Sequence, residues 1–350
     1  ESQLLKEGLY RNGCRDIHIL TDVKGYQMSL SERQSARVGN EYRLSPARLR
    51  NGIFHPKTVY LAGKEDDLLL VGSGNLTFGG YGRNVECLEV FRKSESPTVF
   101  AEYADFLESL TLRDNLWIPA DTGFETTITH IRENLRTNTE EIEKTARLLH
   151  STFSPIAQQV AEAINALAPV EEIRVLSPFF EPQPKGIIEF ATLVGAPKLT
   201  VGLIPENESK TSFNFGGKFE GIEVKAAHVS CESPRRLHAK WFELVLESGE
   251  RVLLTGSVNA THKSLVSADN IEVAVLRKVD GSIEAELNWE PTTPPLSHEP
   301  CEFNASELDH RNLTVLARLG SDGTLRGEVA GLDPDENRCE INLSRRDGHA

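Results

Sequence analysis

Short apolar runs rich in β-branched residues alternate with charged turns over much of the chain, a pattern that predicts strands rather than helices. They include TVYL (58–61), LLLV (68–71), WFELVL (241–246) and VLLT (252–255), with KEDD (64–67) and ESGE (247–250) as intervening turns. IHILTD (17–22), LTVGLIP (199–205) and EIRVLSPFF (172–180) read as further, more deeply buried strands. Spacings of three and four appear instead in AEYADFLESL (101–110) and from TEEIEKTARLLH (139–150) through AEAINAL (161–167), which predicts helices there. Pro155 divides the second run into two helices or one kinked helix. From about 289 to 299 the composition turns to Pro, Thr and Ser, as in a linker. Beyond it, NLTVLARL (312–319) and residues 338–342 alternate with turns and predict a small β appendage.

The strands fall into two copies of one order. FHPKTVYLA (54–62), LLLVGSGNLT (68–77) and NVECLEVF (84–91) are matched by LHAKWFELV (237–245), RVLLTGSVNAT (251–261) and NIEVAVL (270–276). From His55 to Ser73 is 18 residues and from His238 to Ser257 is 19; from His55 to Glu86 is 31 and from His238 to Glu272 is 34. The two histidines stand 183 residues apart, too far for a solenoid period, so the repeat predicts a duplicated lobe. The strand at 172 begins about 27 residues before the strand at 199, and the same offset in the first lobe falls before residue 1. The first lobe is therefore expected to begin inside its own fold, its first strand cut away or supplied by a segment outside this sequence. The boundaries expected are 1–135 for the first lobe, 136–170 for connecting helices, 171–285 for the second lobe and 286–350 for linker and β-rich tail.

Composition narrows the function. The 350 residues are 39% hydrophobic and 26% charged, ordinary for a globular protein. No apolar run approaches the roughly 18 residues of a membrane span, and the first ten lack the pattern of a signal peptide. Five scattered cysteines suggest neither a disulfide framework nor a metal knuckle, and fit a reducing, cytoplasmic setting. A net charge of -14 argues against coating nucleic acid over the whole surface but leaves room for a local basic cleft. One candidate lies between Arg33 and Lys57, where Arg37, Arg43, Arg48, Arg50 and Glu41 bring the net charge to +5 just before the first motif. A charge run alone is more often a solvated loop.

The repeated residues carry the chemistry. Cleaving a phosphodiester takes a nucleophile, a proton donor for the leaving oxygen, and donors around the oxygens where charge gathers. His55 and His238 suit both of the first two roles, because imidazole titrates near neutrality. Lys57 and Lys240, at i+2, share a face with their histidines and can hold a non-bridging oxygen. Asn75 and Asn259 add amide donors, Ser73 and Ser257 add hydroxyls for substrate, and Gly72 and Gly256 permit close backbone approach. Glu86 and Glu272 supply the acceptor that fixes each imidazole's tautomer. Arg48, Arg50, Arg235 and Arg236 are candidates for holding the rest of the substrate. His262 and Lys263 read as a surface pair, and the other histidines have no metal-ligand spacing. One H-x-K tripeptide would mean little; two, each followed by G-S-x-N and N-x-E at matched distances, mean a great deal.

This constellation resembles the phospholipase D superfamily, which carries H-x-K and then G-S-x-N twice per active unit. The resemblance covers about residues 15–92 and 172–277. It implies an α/β protein of two pseudo-twofold-related lobes with mixed sheets flanked by helices, plus the β-rich appendage. It also implies a metal-free, cofactor-free phosphodiesterase in which His55 attacks phosphorus and His238 protonates the leaving group. The Asp that the family pattern places five residues after the Lys is replaced by Ala62 and Val245. That departure resembles the nuclease and tyrosyl-DNA phosphodiesterase-like branch, so nucleic acid, DNA ahead of RNA, is the expected partner, with no membrane. Further domains or partner subunits, as in a restriction, defence or repair assembly, are also expected. Lipid phosphodiester cleavage and an inactive nucleic-acid-binding module are the rival readings.

Overall fold

The computed structural model describes residues 9, 11–14, 16–31, 38–39, 41–77, 79–120, 122–133, 135, 146–204, 212–219, 221–231, 233, 235–279, 287–295, 314–319 and 324–330. Two compact units are present, 1–302 and 303–350. In the second, two strands, Thr314–Leu319 and Leu325–Ala330, pair as an antiparallel hairpin. Residues 139–145 of the expected helix, the 338–342 strand, Arg33 and Arg37 lie outside the described residues.

The first lobe contains β1 (His18–Asp22), α1 (Val23–Ser31), β2 (Arg43–Leu49), β3 (Thr58–Leu61), β4 (Leu68–Gly72), β5 (Asn84–Val85), β6 (Leu88–Arg92), α2 (Pro97–Thr111), β7 (Leu116–Trp117) and α3 (Phe124–Glu133). Its strands form two three-stranded sheets, β1-β2-β7 and β3-β4-β6. The second lobe follows with β8 (Ala146–His150), α4 (Ile156–Ile164), β9 (Val170–Leu176), α5 (Lys185–Leu193), β10 (Lys198–Leu203), β11 (Glu223–Ser230), β12 (Arg236–Leu237), β13 (Trp241–Leu246), β14 (Arg251–Gly256), β15 (Val273–Val279) and β16 (Asn288–Thr292). Eight of these make one mixed sheet in the order β16-β11-β10-β9-β13-β14-β15-β8. In that sheet β9 joins β10 on one side to β13 on the other. Among the described residues no strand joins the corresponding β1 to β3.

Two segments of the sheet differ from the expectation. Residues 146–150 are a strand, not a helix: Leu148 and Leu149 are both buried, yet they enter different hydrophobic cores on opposite faces of the sheet. Neighbouring residues on opposite faces are the signature of a period of two, and the i+3 spacing around them is incidental. Residues 288–292, expected to open the linker, instead pair antiparallel with β11 at the sheet edge. Trp289 seats its ring over Gly202, where even a methyl group would lie 3.1 Å from the ring edge. A large apolar ring fitted to a bare backbone position overrides a Pro-rich surrounding.

The lobes pack sheet face to sheet face. Leu69, Val71 and Phe91 of the first meet Ile271, Val273 and Val275 of the second, with α2 contributing Phe100, Tyr103 and Phe106 to the same core. Glu89 on β6 accepts hydrogen bonds from Arg277 at 2.9 Å and Thr255 at 3.2 Å on the second lobe. The outer face of the second sheet is buried under α4 and α5 through Ile156, Val160, Ile187 and Phe190.

Gly72 and Gly256 end the strands that lead into the two G-S-x-N motifs. A Cβ at Gly72 would lie 2.8 Å from the Cys87 carbonyl, and one at Gly256 would lie 2.4 Å from the Val273 carbonyl. The close approach expected of these glycines is thus an approach of strand to strand. Gly256 also has φ +139, a backbone that side chains strain to adopt. Gly256→Ala should lower thermal stability by about 2 kcal/mol or more. Gly249→Ala, at φ +84 with open space around it, should cost only the backbone strain. Parallel thermal melts of the two variants check the difference.

Candidate active site

The two H-x-K motifs occupy extended links that run into β3 and β13, not the strands themselves. Just before each histidine the chain makes a short parallel pairing with the N-x-E segment of the other lobe. Phe54 bridges Ile271, the His55 amide donates to the Ile271 carbonyl at 2.9 Å, and the Ile271 amide donates to the Ile53 carbonyl at 3.0 Å. In the mirror position β12 pairs with β5, and the His238 amide donates to the Val85 carbonyl at 2.9 Å. The duplication therefore places the imidazole of each half against the carboxylate of the other.

The side chains follow the backbone. His55 Nδ1 bonds Glu272 Oε2 at 2.9 Å, and His238 Nδ1 bonds Glu86 Oε1 at 2.8 Å. An ionised carboxylate accepts, so each Nδ1 carries the proton and each Nε2 is left with a lone pair. Burial alone would raise the pKa of Glu272, but His55, Lys57 and Ser257 outweigh it and hold the group below the ordinary carboxylate range. Glu86 is held low in the same way by His238, Ser73 and Lys240 against the effect of burial. Spacing within one copy leaves the choice of glutamate open; the geometry makes it crossed.

Ser73 and Ser257 do not face substrate. Both have no exposed surface. The Ser73 hydroxyl donates to Glu86 at 2.6 Å and accepts from the Cys87 amide at 2.9 Å. The Ser257 hydroxyl donates to Glu272 and accepts from the Val273 amide at 3.0 Å. With donor and acceptor engaged inside the protein, these serines support the carboxylates, which corrects the expectation that they touch substrate.

The lysines are drawn deep into the same site. Lys57 donates to the His55 carbonyl at 3.1 Å, and Lys240, 1% exposed, donates across the lobes to the Ser73 carbonyl at 3.3 Å. Burial pushes the Lys57 pKa down to about 7, opposed by Glu272 and reinforced by Lys240. Burial likewise lowers Lys240, against the pull of Glu86 and Glu272. His55 is lowered first by burial, with Glu272 opposing and Lys57 and Lys240 adding to the shift.

Asn75 and Asn259 sit in matching turns, each accepting on its carbonyl an amide two residues on, from Thr77 and Thr261. Asn75 is exposed. Asn259 is buried, and its side-chain oxygen has no hydrogen-bond partner. After each turn comes one π-helical turn, Gly79–Arg83 and His262–Val266, where loops were expected. Arg235 and Arg236 are exposed and lead directly into His238. Arg48 and Arg50 lie at the end of β2 before the first motif, Arg50 exposed and Arg48 half-buried.

Residues beyond the named candidates also meet here. Ser264 donates to Glu272 at 2.8 Å, and the first asparagine of each N-x-E donates to its own glutamate, Asn84 at 3.1 Å and Asn270 at 3.5 Å. Phe179 turns the edge of its ring to His238, with centroids 6.0 Å apart and planes at 85°. Asp22 accepts the Phe54 amide at 3.2 Å and so fixes the approach to His55. Asn84 and Asn270 open the repeated N-x-E, whereas nothing in the spacing marked Ser264, Phe179 or Asp22. Among the described residues, no group of three or more His, Cys, Asp and Glu side chains is arranged to hold a metal ion.

No protein-family model matches the chain, and no curated protein matches it. Among solved structures, a variant of yeast tyrosyl-DNA phosphodiesterase aligns with a TM-score of 0.50 at 11% identity, over 75% of this chain and 78% of that one. The fold is phospholipase D-like. Polyphosphate kinase from Porphyromonas gingivalis aligns at 0.36 and 13% identity, over 77% of this chain and 36% of its own. Nuc from Salmonella typhimurium, named a phospholipase D family member, aligns at 0.25 and 18% identity, over 39% of this chain and 85% of its own. The fold assignment rests on the first of these alone.

Exchanging one carboxylate tests the crossing. Glu272→Gln should move the Nδ1 proton resonance of His55 upfield and lower the His55 titration midpoint, because Glu272 raises that pKa, while the His238 Nδ1 proton stays in place. Glu86→Gln should shift the His238 proton and leave that of His55. Histidine-selective NMR reads both; shifts at the histidine of the same repeat would contradict the geometry.

Proposed function

We propose that this chain is a metal-independent phosphodiesterase acting on nucleic acid, DNA ahead of RNA, through a covalent phosphohistidine. The carrying observation is the pair of crossed imidazole–carboxylate contacts beside the half-buried Lys57 and the buried Lys240. Two imidazoles, each with Nδ1 held by a carboxylate and Nε2 left to attack or to exchange a proton, are suited to sequential nucleophilic and acid–base steps on one phosphorus.

His55 Nε2 attacks phosphorus as the bond to the leaving oxygen breaks, and His238, entering protonated, gives that oxygen its proton. Glu272 then faces the positive charge gathering on the His55 ring. Lys57 and Lys240 hold non-bridging oxygens, with Asn75 and Asn259 as amide donors. In the second half, neutral His238 takes a proton from water, the water oxygen bonds to phosphorus, and the bond to His55 breaks. His55 is favoured as nucleophile because its pKa is lowered and its carboxylate is completely enclosed. Arg235, Arg236, Arg48 and Arg50 are the candidates for binding the substrate away from the scissile bond. Support for DNA comes from the replacement of the family Asp by Ala62 and Val245, and from the name of the tyrosyl-DNA phosphodiesterase that shares the fold. We place the protein in the cytoplasm, on its scattered cysteines; Cys14, Cys87 and Cys231 are free thiols.

Cleavage of labelled single- and double-stranded DNA should persist in EDTA and fall at least about a thousandfold in His55→Ala and in His238→Ala. Activity that survives both substitutions, or that turns only on phosphatidylcholine, would overturn the reading. The pH profile of kcat/KM follows from the site. His55 must be neutral to attack, so the rate rises as pH climbs through its lowered pKa, below about 6.5. Lys57 must be charged to hold phosphate, so the rate falls as pH passes about 7 in the free enzyme. The optimum therefore lies on the acid side of neutrality. Lys57→Met should remove the contribution of Lys57 to the alkaline limb along with most of the activity.

A further inference from the structure

The lobe-two N-x-E segment is gripped from both sides. Residues 53–55 hold one side through the Ile271 amide and carbonyl, and the Ile53 amide donates to the Asn270 side chain at 3.1 Å. Ser151, one residue beyond β8, holds the other side. Its amide donates to the Glu272 carbonyl at 3.1 Å. Its hydroxyl donates to the Asn270 carbonyl at 2.8 Å and accepts from the Glu272 amide at 2.7 Å. Regular pairing of β8 with β15 stops at His150 and Val273, so this hydroxyl carries the ladder two residues further, to the catalytic carboxylate. Ser151 has no exposed surface.

A lobe-one residue locks that turn in place. Arg113, just past the end of α2, donates to the carbonyls of Ser151 at 3.2 Å, of Thr152, and of Ala268. One guanidinium thus ties the Ser151 turn to the loop that enters Asn270. The other N-x-E segment, 84–86, is only partly buried.

We propose that Ser151 is a positioning residue for Glu272 and, through it, for the His55 imidazole, with Arg113 fixing the Ser151 turn. The inference rests on the reading of His55 as the attacking group. Attack puts positive charge on the His55 ring, and Glu272 stabilises it only from a fixed position. Losing the Ser151 hydroxyl leaves a buried carbonyl and a buried amide unpaired in the very segment that aims the carboxylate, so the segment shifts. The loss falls on the transition state more than on substrate binding.

The test compares Ser151→Ala and Ser151→Thr with the unaltered chain. In Ser151→Ala, kcat should fall about tenfold or more with KM within about twofold. The His55 titration midpoint should drop, since the raising influence of Glu272 weakens, while the His238 titration is unchanged. Ser151→Thr, which keeps the hydroxyl, should recover both. Loss of stability alone would lower the melting temperature without moving one histidine selectively. If Ser151→Ala does not fold, Arg113→Met carries the test, since it slackens the same turn, and His55 must again titrate lower. An unmoved His55 in the folded variant overturns the proposal, as does an equal shift at both histidines. The NMR arm needs no substrate: a selective His55 shift in a chain that cleaves nothing keeps the positioning and defeats the function, and cleavage with an unmoved His55 does the reverse.

Discussion

The rest of the structure depends on the crossed contact between each imidazole and the other lobe's carboxylate. A buried carboxylate that stays ionised must be matched by donors, or its desolvation is prohibitive. Glu272 has no exposed surface and Glu86 sits in a half-buried cleft wall, and each takes its imidazole from across the lobe boundary. Parting the lobes would strip both acids of that partner and take Lys240 from the Ser73 carbonyl. Docking the halves and assembling the site are thus one event, and the shared apolar core of Val71, Phe91, Val273 and Val275 supplies its driving force.

Within this twofold plan the two acids are not equal. Glu272 receives His55, Ser257, Ser264 and Asn270; Glu86 receives His238, Ser73 and Asn84. The position matching Ser264 in the π-helical turns is Tyr81, which is 49% exposed. Under the proposed function, a tighter carboxylate suits the imidazole that would carry a covalent bond, where charge must be met at one fixed point. A looser one would suit, in the same scheme, the imidazole that serves first a leaving oxygen and then a water, which stand in different places.

The duplicated plan was legible because its marks are chemical and local. H-x-K, G-S-x-N and N-x-E survive as residue types at nearly matched distances, and strands such as 241–246 and 252–255 show their period directly. The crossing was not legible, since spacing within one copy says nothing about which copy a side chain meets. The serines misled for a related reason. A hydroxyl beside a catalytic motif reads as a substrate contact until the glutamate it supports, 13 or 15 residues on, is seen against it. Residues 146–150 defeated the helical reading because a strand buried on both faces loses its polar alternation. Ser151 lies outside both repeats, so no repeated spacing could point to it.

Under the proposed function, the lysines couple substrate charge to protonation. Burial lowers both lysines and Lys240 lowers Lys57 further, so the Lys57 pKa of about 7 leaves a sizeable fraction of the free protein without that charge at neutral pH. A phosphodiester brings one negative charge into the same volume. Its field favours the charged ammonium, so the pKa of Lys57 rises on binding and the site draws a proton from solvent as substrate enters. The site therefore does not hold two full positive charges waiting in a dry cleft, an arrangement that would be costly to fold. It completes its charge when the anion arrives, and the crossed carboxylates keep the unoccupied cleft near balance until then.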